Sequence, residues 1–395
     1  MRKLLLLTAT ILVLALAVFL GAAPGQAAAT PGVDDDTILL GTFTALSGPV
    51  APIGVPNSHG YLAYYNYINE KGGIYGRKIK VLVEDDAFQP SRTVAAVKKL
   101  VEQERVFAIV SPLGTPTNAA VLDYLVKNNV PVISPHTGSS QWSIPVKKNY
   151  IALQPNYTVE GTVLAQYALK DLKGKRFAIV YVNDDYGQEE SKSFSAYLAK
   201  NDIKPVLTLG HEFGETDFSS YVIKLQQAKP DVVLLASYAT QTASILKQAE
   251  MFGFRPHFLG TYVVSDPVMF KLAGASAMEG FQVTGYAADP GGDTKAAKEY
   301  RDVLHKYYPN EAPGGYSEIG YIAAQLVVEA LKKAGPDLTR EKFIAAFESL
   351  KNWTTGLLPP ISYSATDHRG VKTFAIAKAK GGQWTIGKES IEVEE

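Results

Sequence analysis

Apolar residues along this chain fall into two alternating rhythms, short continuous runs and longer stripes at helical spacing, and the alternation is played through twice. In the first round the runs at 37–43 (TILLGTF), 76–86 (GRKIKVLVEDD), 106–110 (VFAIV) and 130–134 (VPVIS) predict strands; their β-branched character suits burial on both faces. Between them, Tyr61, Tyr64, Tyr65 and Ile68 predict a helix beginning near Asn57 and stopped by Gly72. Val94, Val97, Leu100 and Val101 predict a second, opened by Pro90-Ser91, and Val121, Leu122, Leu125 and Val126 a third behind Pro116. After a strand-like link at 150–157 the pattern restarts. A helix bearing Val163, Leu164 and Tyr167 leads to strands at 176–182, around Val206, at 231–237 and at 257–260, with helices between them. This alternation predicts two doubly wound α/β lobes. The tail makes no third lobe: a second link at 281–289, a long stripe from Ile319 to Leu331, a shorter helix at 339–350 and a hairpin-like end around Gly381-Gly382 follow. Helices without strands of their own are expected to return to the first lobe, so the chain crosses between lobes more than once.

In an open α/β sheet, ligands bind outside the carboxyl ends of the strands. Two loops there are rich in hydroxyls and small residues, SPLGTPT (111–117) and SPHTGSS (134–140). Such loops hold an anion through hydroxyls and free backbone N–H groups at a helix start, without a fixed positive charge.

The N-terminus changes the picture of where the chain works. Arg2 and Lys3, an apolar run at 4–20 and the small-residue tract ending Ala27-Ala28-Ala29 read as a cleaved secretory signal spanning 1–29. The chain has no cysteine, which excludes both disulfides and a lipid-anchored N-terminus; a free periplasmic protein is expected. Lysine plus arginine equals aspartate plus glutamate at 39 each, so no basic field recruits nucleic acid or anionic lipid.

Catalytic signatures are missing: no nucleophile elbow, zinc-protease helix, phosphate loop or dinucleotide fingerprint occurs. The six histidines lack metal-ligand spacing, and only His136 sits in a candidate loop. The acids Glu84-Asp85-Asp86 and Asp184-Asp185 end strands beside basic residues and read as solvated strand ends. Neither an enzyme, a metal site nor a bound cofactor is expected.

Several segments resemble type I periplasmic binding proteins of the branched-chain amino-acid (Leu/Ile/Val) class, which serve ABC importers. They are LSGP (46–49), INEKGGI (68–74) with Gly76-Arg77, VEDD (83–86), Ser134-Pro135, DYG (185–187), TDFS (216–219) and KPDVV (229–233), in this order. The resemblance implies two Rossmann-like lobes joined by a three-segment hinge that close over a ligand. It divides the chain into an N-terminal lobe of 37–152 plus 287–362 and a C-terminal lobe of 155–284 plus 368–395, with crossings near 150–157, 281–289 and 361–373. It implies a carboxylate held by Gly114 and Thr115 and by His136, Thr137, Gly138 and Ser139. Tyr186 and Tyr238 would close from the second lobe, with Ile53 near the first-lobe loop. Where leucine-type members carry an acid for the ligand's ammonium, this chain has Tyr262; Asp266, Asp184 and Asp185 are the acids nearby that could take its place. An aromatic or other organic acid is therefore the alternative ligand, for which Trp142 and the tyrosines offer a flat apolar surface. The partners implied are a small amino or organic acid and the permease and ATPase of an importer, with a signalling receptor as the alternative and a monomer as the expected state.

Overall fold

The computed structural model describes residues 30–391; the export leader read at 1–29 and residues 392–395 lie outside them. The first of its two sheets is five-stranded and parallel throughout. Its strands β1 (Thr37–Thr44), β2 (Lys78–Asp85), β3 (Ala108–Val110), β4 (Val132–Ile133) and β5 (Tyr150–Ile151) lie in the order β2-β1-β3-β4-β5. The second is seven-stranded: β6 (Phe177–Val182), β7 (Leu207–His211), β8 (Val232–Ala236), β9 (His257–Gly260) and β10 (Gln282–Gly285) are parallel. An antiparallel hairpin, β11 (Phe374–Lys380) and β12 (Gln383–Ile391), extends it past β10. Read from β7 to β10, the order repeats that of the first sheet. Each sheet therefore has a switch point, between β1 and β3 and between β6 and β8, where the connections part to opposite faces and leave a crevice.

The helices are α1 (Ala51–Glu70), α2 (Pro90–Lys98), α3 (Thr115–Lys127), α4 (Tyr157–Lys170), α5 (Asp185–Lys200), α6 (Ser219–Ala228), α7 (Ala239–Met251), α8 (Val268–Ala273), α9 (Ala275–Met278), α10 (Lys295–Tyr307), α11 (Gly315–Ala334) and α12 (Arg340–Glu348). Val106 to Val110 and Val232 to Ala236 are fully buried, as parallel strands covered on both faces require.

One boundary differs from the expected one. Helix α1 starts at Ala51 rather than near Asn57, and encloses Pro56. Pro52 falls in the first turn, where the missing N–H had no partner anyway, so the helix starts inside what reads as a loop. Ile53 is consequently on a helix. Tyr61, Tyr65 and Ile68 are buried as their spacing implies.

The late helices return to the first sheet. Helix α11 crosses α1 at glycines: a Cβ on Gly60 would stand 1.9 Å from the Ser317 carbonyl, and one on Gly320 2.1 Å from that of Asn57. Arg340, opening α12, donates to the carbonyls of Phe107 and Val106, both at 2.9 Å. The hairpin then rejoins the second sheet, so the chain passes between sheets three times. Two of these passages run side by side, Ala152 N–H donating to the His368 carbonyl at 3.0 Å and Val371 N–H to that of Leu153 at 2.9 Å.

Candidate functional site

The loops after β3 and β4 are bridged in parallel by Leu113 and His136, so they share one crevice. Gly114, at φ +96°, turns the chain into α3, whose first-turn N–H groups have no partner within the helix. The loop is held by its own side chains. Thr117 Oγ1 donates to the Leu113 carbonyl, and Asn118 Nδ2 to that of Gly114 at 2.7 Å. The hydroxyls of Thr115 and Thr137 bond each other at 2.7 Å, which uses one proton of the pair.

Across the crevice stands a wall of tyrosines. Tyr157, at the start of α4, stacks on Tyr262 with centroids 5.7 Å apart and meets Tyr186 at 4.8 Å. The polar ends of three are already taken. Tyr262 donates to the Pro155 carbonyl at 3.0 Å, Tyr186 bonds Thr261 at 2.7 Å, and Tyr238 donates to Asp184 at 2.8 Å. Gly138 is required here, because a Cβ would meet the Tyr262 hydroxyl at 2.0 Å and the Pro155 carbonyl at 2.3 Å.

The two halves touch around this crevice, as in a closed clamp. Phe88, after β2, stacks on Phe213, after β7, at 5.3 Å and meets Tyr238 edge-on at 5.4 Å. Ser140 donates its N–H to Glu189 of α5 at 3.0 Å, and Gln141 donates to Asp185 at 3.2 Å. Asp266, from the loop after β9, accepts from Tyr316 N–H at the start of α11 at 2.9 Å, and the Tyr316 hydroxyl donates to the Val263 carbonyl at 2.7 Å.

The closed halves enclose a cavity of about 460 Å³. It begins at Val50, Ile53, Phe88 and Leu113, passes the tyrosines, and ends at Phe270, Trp384 and Ile386 beside the hairpin, where Ile386 and Gln383 are exposed. Most of its wall is apolar or aromatic. Five buried polar groups on that wall have no hydrogen-bond partner among the described residues: His136 Nδ1, Gln154 Oε1, the Tyr286 hydroxyl, Trp384 Nε1 and both oxygens of Glu318. Burial pushes the His136 imidazole down to about 4, so it is neutral and can accept. Burial, and then the neighbouring Asp289 and Asp266, push the Glu318 carboxyl well above its usual range.

Ile53, Gly114, Thr115, His136, Tyr238 and Tyr262 line this cavity; Thr137, Gly138, Ser139 and Tyr186 do not and stand behind the residues that do. Ser139 is fully buried, accepting from Gln141 N–H and donating its own N–H to Thr137 Oγ1. Trp142 lies in the first-lobe core against Tyr150, away from the cavity, which corrects its reading as a ligand surface. Gln154, Tyr157, Tyr286 and Asp289 escaped the sequence reading because they belong to links taken only as connectors. Glu318 does carry a signal in the sequence: an acid standing four and eight residues before Ile322 and Leu326 in an apolar stripe. No group of three or more metal-ligating side chains exists among the described residues, and none of their helices is long and apolar enough to cross a membrane.

Two Rossmann-like halves closed over a cavity that reaches the switch point of the first sheet have the fold of a type I solute receptor. The chain belongs to the periplasmic binding protein family, which it matches over residues 37–383; these are solute-binding proteins, not enzymes. It is 27% identical to the Leu/Ile/Val-binding protein BraC3 of Rhizobium johnstonii over 89% of this chain and 92% of that protein. A fatty acid ABC transporter substrate-binding protein from Thermomonospora curvata superposes with a TM-score of 0.85 at 27% identity, covering 94% of this chain and 96% of that one. A branched-chain amino acid ABC transporter structure from Thermus thermophilus with bound valine gives 0.84 at 21% identity, over 91% and 97% of the two chains, and shares the fold. The class is that of substrate-binding proteins of ABC importers, as read from the sequence.

Proposed function

We propose that this protein captures a carboxylate-bearing solute with an apolar body larger than a branched-chain side chain, and presents it to an importer's permease. The observation that carries the reading is the cavity, which reaches Gly114 and Thr115 at the start of α3 and runs along a mostly apolar and aromatic wall to the hairpin. At about 460 Å³, running from Ile53 past the tyrosines to Phe270 and Trp384, the cavity is of the size that takes ligands larger than leucine. The ligand's carboxylate docks on Thr115 and the first-turn N–H groups of α3, and its body lies against Tyr157, Tyr262 and Tyr238. The crossings near 150–157, 281–289 and 361–373 act as the hinge between the two lobes bounded above. Export through cleavage after Ala29, a periplasmic location and a monomeric state complete the reading, with an ATPase driving the permease.

Each additional buried methylene contributes about 0.8 kcal/mol, so two give roughly tenfold in affinity. Titration calorimetry with valine, leucine, phenylalanine, octanoate and phenylacetate is expected to favour the larger bodies over valine by about that factor. Equal affinities for valine and the larger probes would sink the reading. Thr115→Ala removes the donor pair with Thr137 and is expected to weaken the best ligand by about tenfold, the scale of one hydrogen bond to a charged group. An unchanged dissociation constant removes Thr115 from the carboxylate subsite. The fatty acid transporter's likeness supports a second reading, a simple acyl carboxylate, which octanoate tests directly.

A further inference from the structure

We infer that Phe88 latches the closed clamp: a strained turn after β2 holds its ring against the second lobe, and the rate of ligand release is set by how readily that ring leaves its seat. The inference rests on the hinged capture proposed above and adds the residue that governs retention. Asp85 and Asp86, read from the sequence as part of a solvated strand end, build that turn instead. Ala87 and Phe88 both stand in the left-handed region, at φ +49° and +62°. Residues other than glycine are uncommon there, and a bulky one more so. Asp85 accepts from the N–H groups of Ala87 at 2.9 Å and Leu46 at 3.0 Å, and from the Ser47 hydroxyl at 2.7 Å. Asp86, only 1% exposed, accepts from Phe88 N–H at 2.8 Å and from the Thr93 hydroxyl at 2.7 Å. A strained backbone persists where its surroundings over-determine it, and such positions cluster where the aim of a side chain matters to function.

The ring so aimed is buried, and both aromatic rings that it meets among the described residues belong to the other lobe. Phe213 and Tyr238 lie edge-on to each other at 5.7 Å and form a notch for it. Tyr238 is anchored on Asp184, and the Phe213 carbonyl accepts from Gln241. On its own side the ring lies over Gly114, where a Cβ would stand 2.2 Å from it. Gly114 therefore serves both the turn into α3 and the seat of the latch. A ring kept for first-lobe stability would turn into that lobe's core and need no strained backbone. This one reaches across the crevice beside Thr115, and it lines the cavity together with Tyr238, whereas Phe213 does not. When the halves part, the contacts among the three rings are lost together. Contacts made only on closure do not speed encounter with the open form, so they act on dissociation.

The test measures stopped-flow association and dissociation of octanoate and of phenylalanine with the full chain and with four variants. Phe213→Ala decides, because its ring lies off the cavity and reaches the ligand through the latch alone. It is expected to speed dissociation by roughly tenfold and leave association unchanged, the scale of one lost aromatic pair with its buried area. Phe88→Ala, which loses both pairs, is expected to speed it by roughly thirtyfold, and Phe88→Leu by an intermediate factor. The double variant Phe88→Ala/Phe213→Ala is expected to release no faster than Phe88→Ala, because the two act as one unit. The chain has no cysteine, so Lys98→Cys on α2 and Lys192→Cys on α5, both exposed positions, take spin labels whose distances report closure without ligand. Phe213→Ala is expected to shift those distances to longer values. An unchanged dissociation rate in Phe213→Ala, or effects of the two alanines that simply multiply, would overturn the inference and leave the capture reading standing. If neither acid binds the unaltered protein, it is the carboxylate reading that has failed. The label distances then decide the latch alone, and identical distributions with and without Phe213→Ala refute it.

Discussion

Raising the pH from about 5 to about 8 is expected to destabilise the ligand-free protein through the buried pair Glu160 and Glu190, at about 1.4 kcal/mol per pH unit wherever the folded state keeps one proton that the unfolded chain has released. Glu160 is fully buried, and burial pushes its carboxyl from 4.5 up to about 7 against hydrogen bonds from Thr284 and the Tyr262 N–H that favour the ionised form. Its neighbour Glu190 is pushed well above the usual range by burial and then by the charge of Glu160 and of Glu189. Below the unfolded value both states hold the proton and nothing is lost. Between about 4.5 and about 7 the unfolded chain releases it while the folded one keeps it, so stability falls as pH rises. The opposite slope belongs to more acidic solution: Asp367, despite burial, is held well below the carboxylate range by Arg369 and Lys372, and its contribution disappears only there. Thermal denaturation across this range should thus place the maximum at about pH 5. Glu160→Gln keeps an oxygen for Tyr262 and Thr284 and offers N–H groups to Glu190, so it should flatten the decline. A flat or rising profile in the unaltered protein would refute the assignment of these two carboxyls.

Trp142→Ala is expected to lower stability by roughly 3–5 kcal/mol, the cost of emptying a large buried aromatic site. The indole is fully buried, near-parallel to Tyr150 with centroids 6.2 Å apart, and shares a core with Phe43, Leu125 and Val132. Because it does not line the cavity, the dissociation constant measured well below the midpoint should hold. Urea denaturation reads the first effect and calorimetry the second. A binding loss without a stability loss would return Trp142 to the ligand surface.

These predictions rest on residues that the sequence disclosed unequally. Val106 to Val110 and Val232 to Ala236 announced buried parallel strands because both faces of such strands must be apolar. The return of α11 to the first sheet was legible from a tail with helices and no strands for them to cover. The candidate site was half legible. The loop at Gly114-Thr115 and its neighbour at His136 stood out by composition, and both line the cavity. Thr137, Gly138 and Ser139 look the same in sequence, yet the next turn of chain folds Tyr157 against them: its N–H donates to the Gly138 carbonyl at 2.9 Å and screens the loop. Composition cannot reveal which of four consecutive small residues a ring will cover.

Periodicity and loop composition, being local, determined the strands, the helices apart from the start of α1, the doubling of the pattern and the end of the sheet at which the cavity lies. Depth is different: it depends on which segments from three passages of the chain meet at one point. Only the tertiary structure, by packing the links at Gln154 and Tyr286 beside α11, turned Glu318 from one acid on a helix into an unpartnered carboxyl inside the cavity. Burial there, and not residue type, gives it its chemistry.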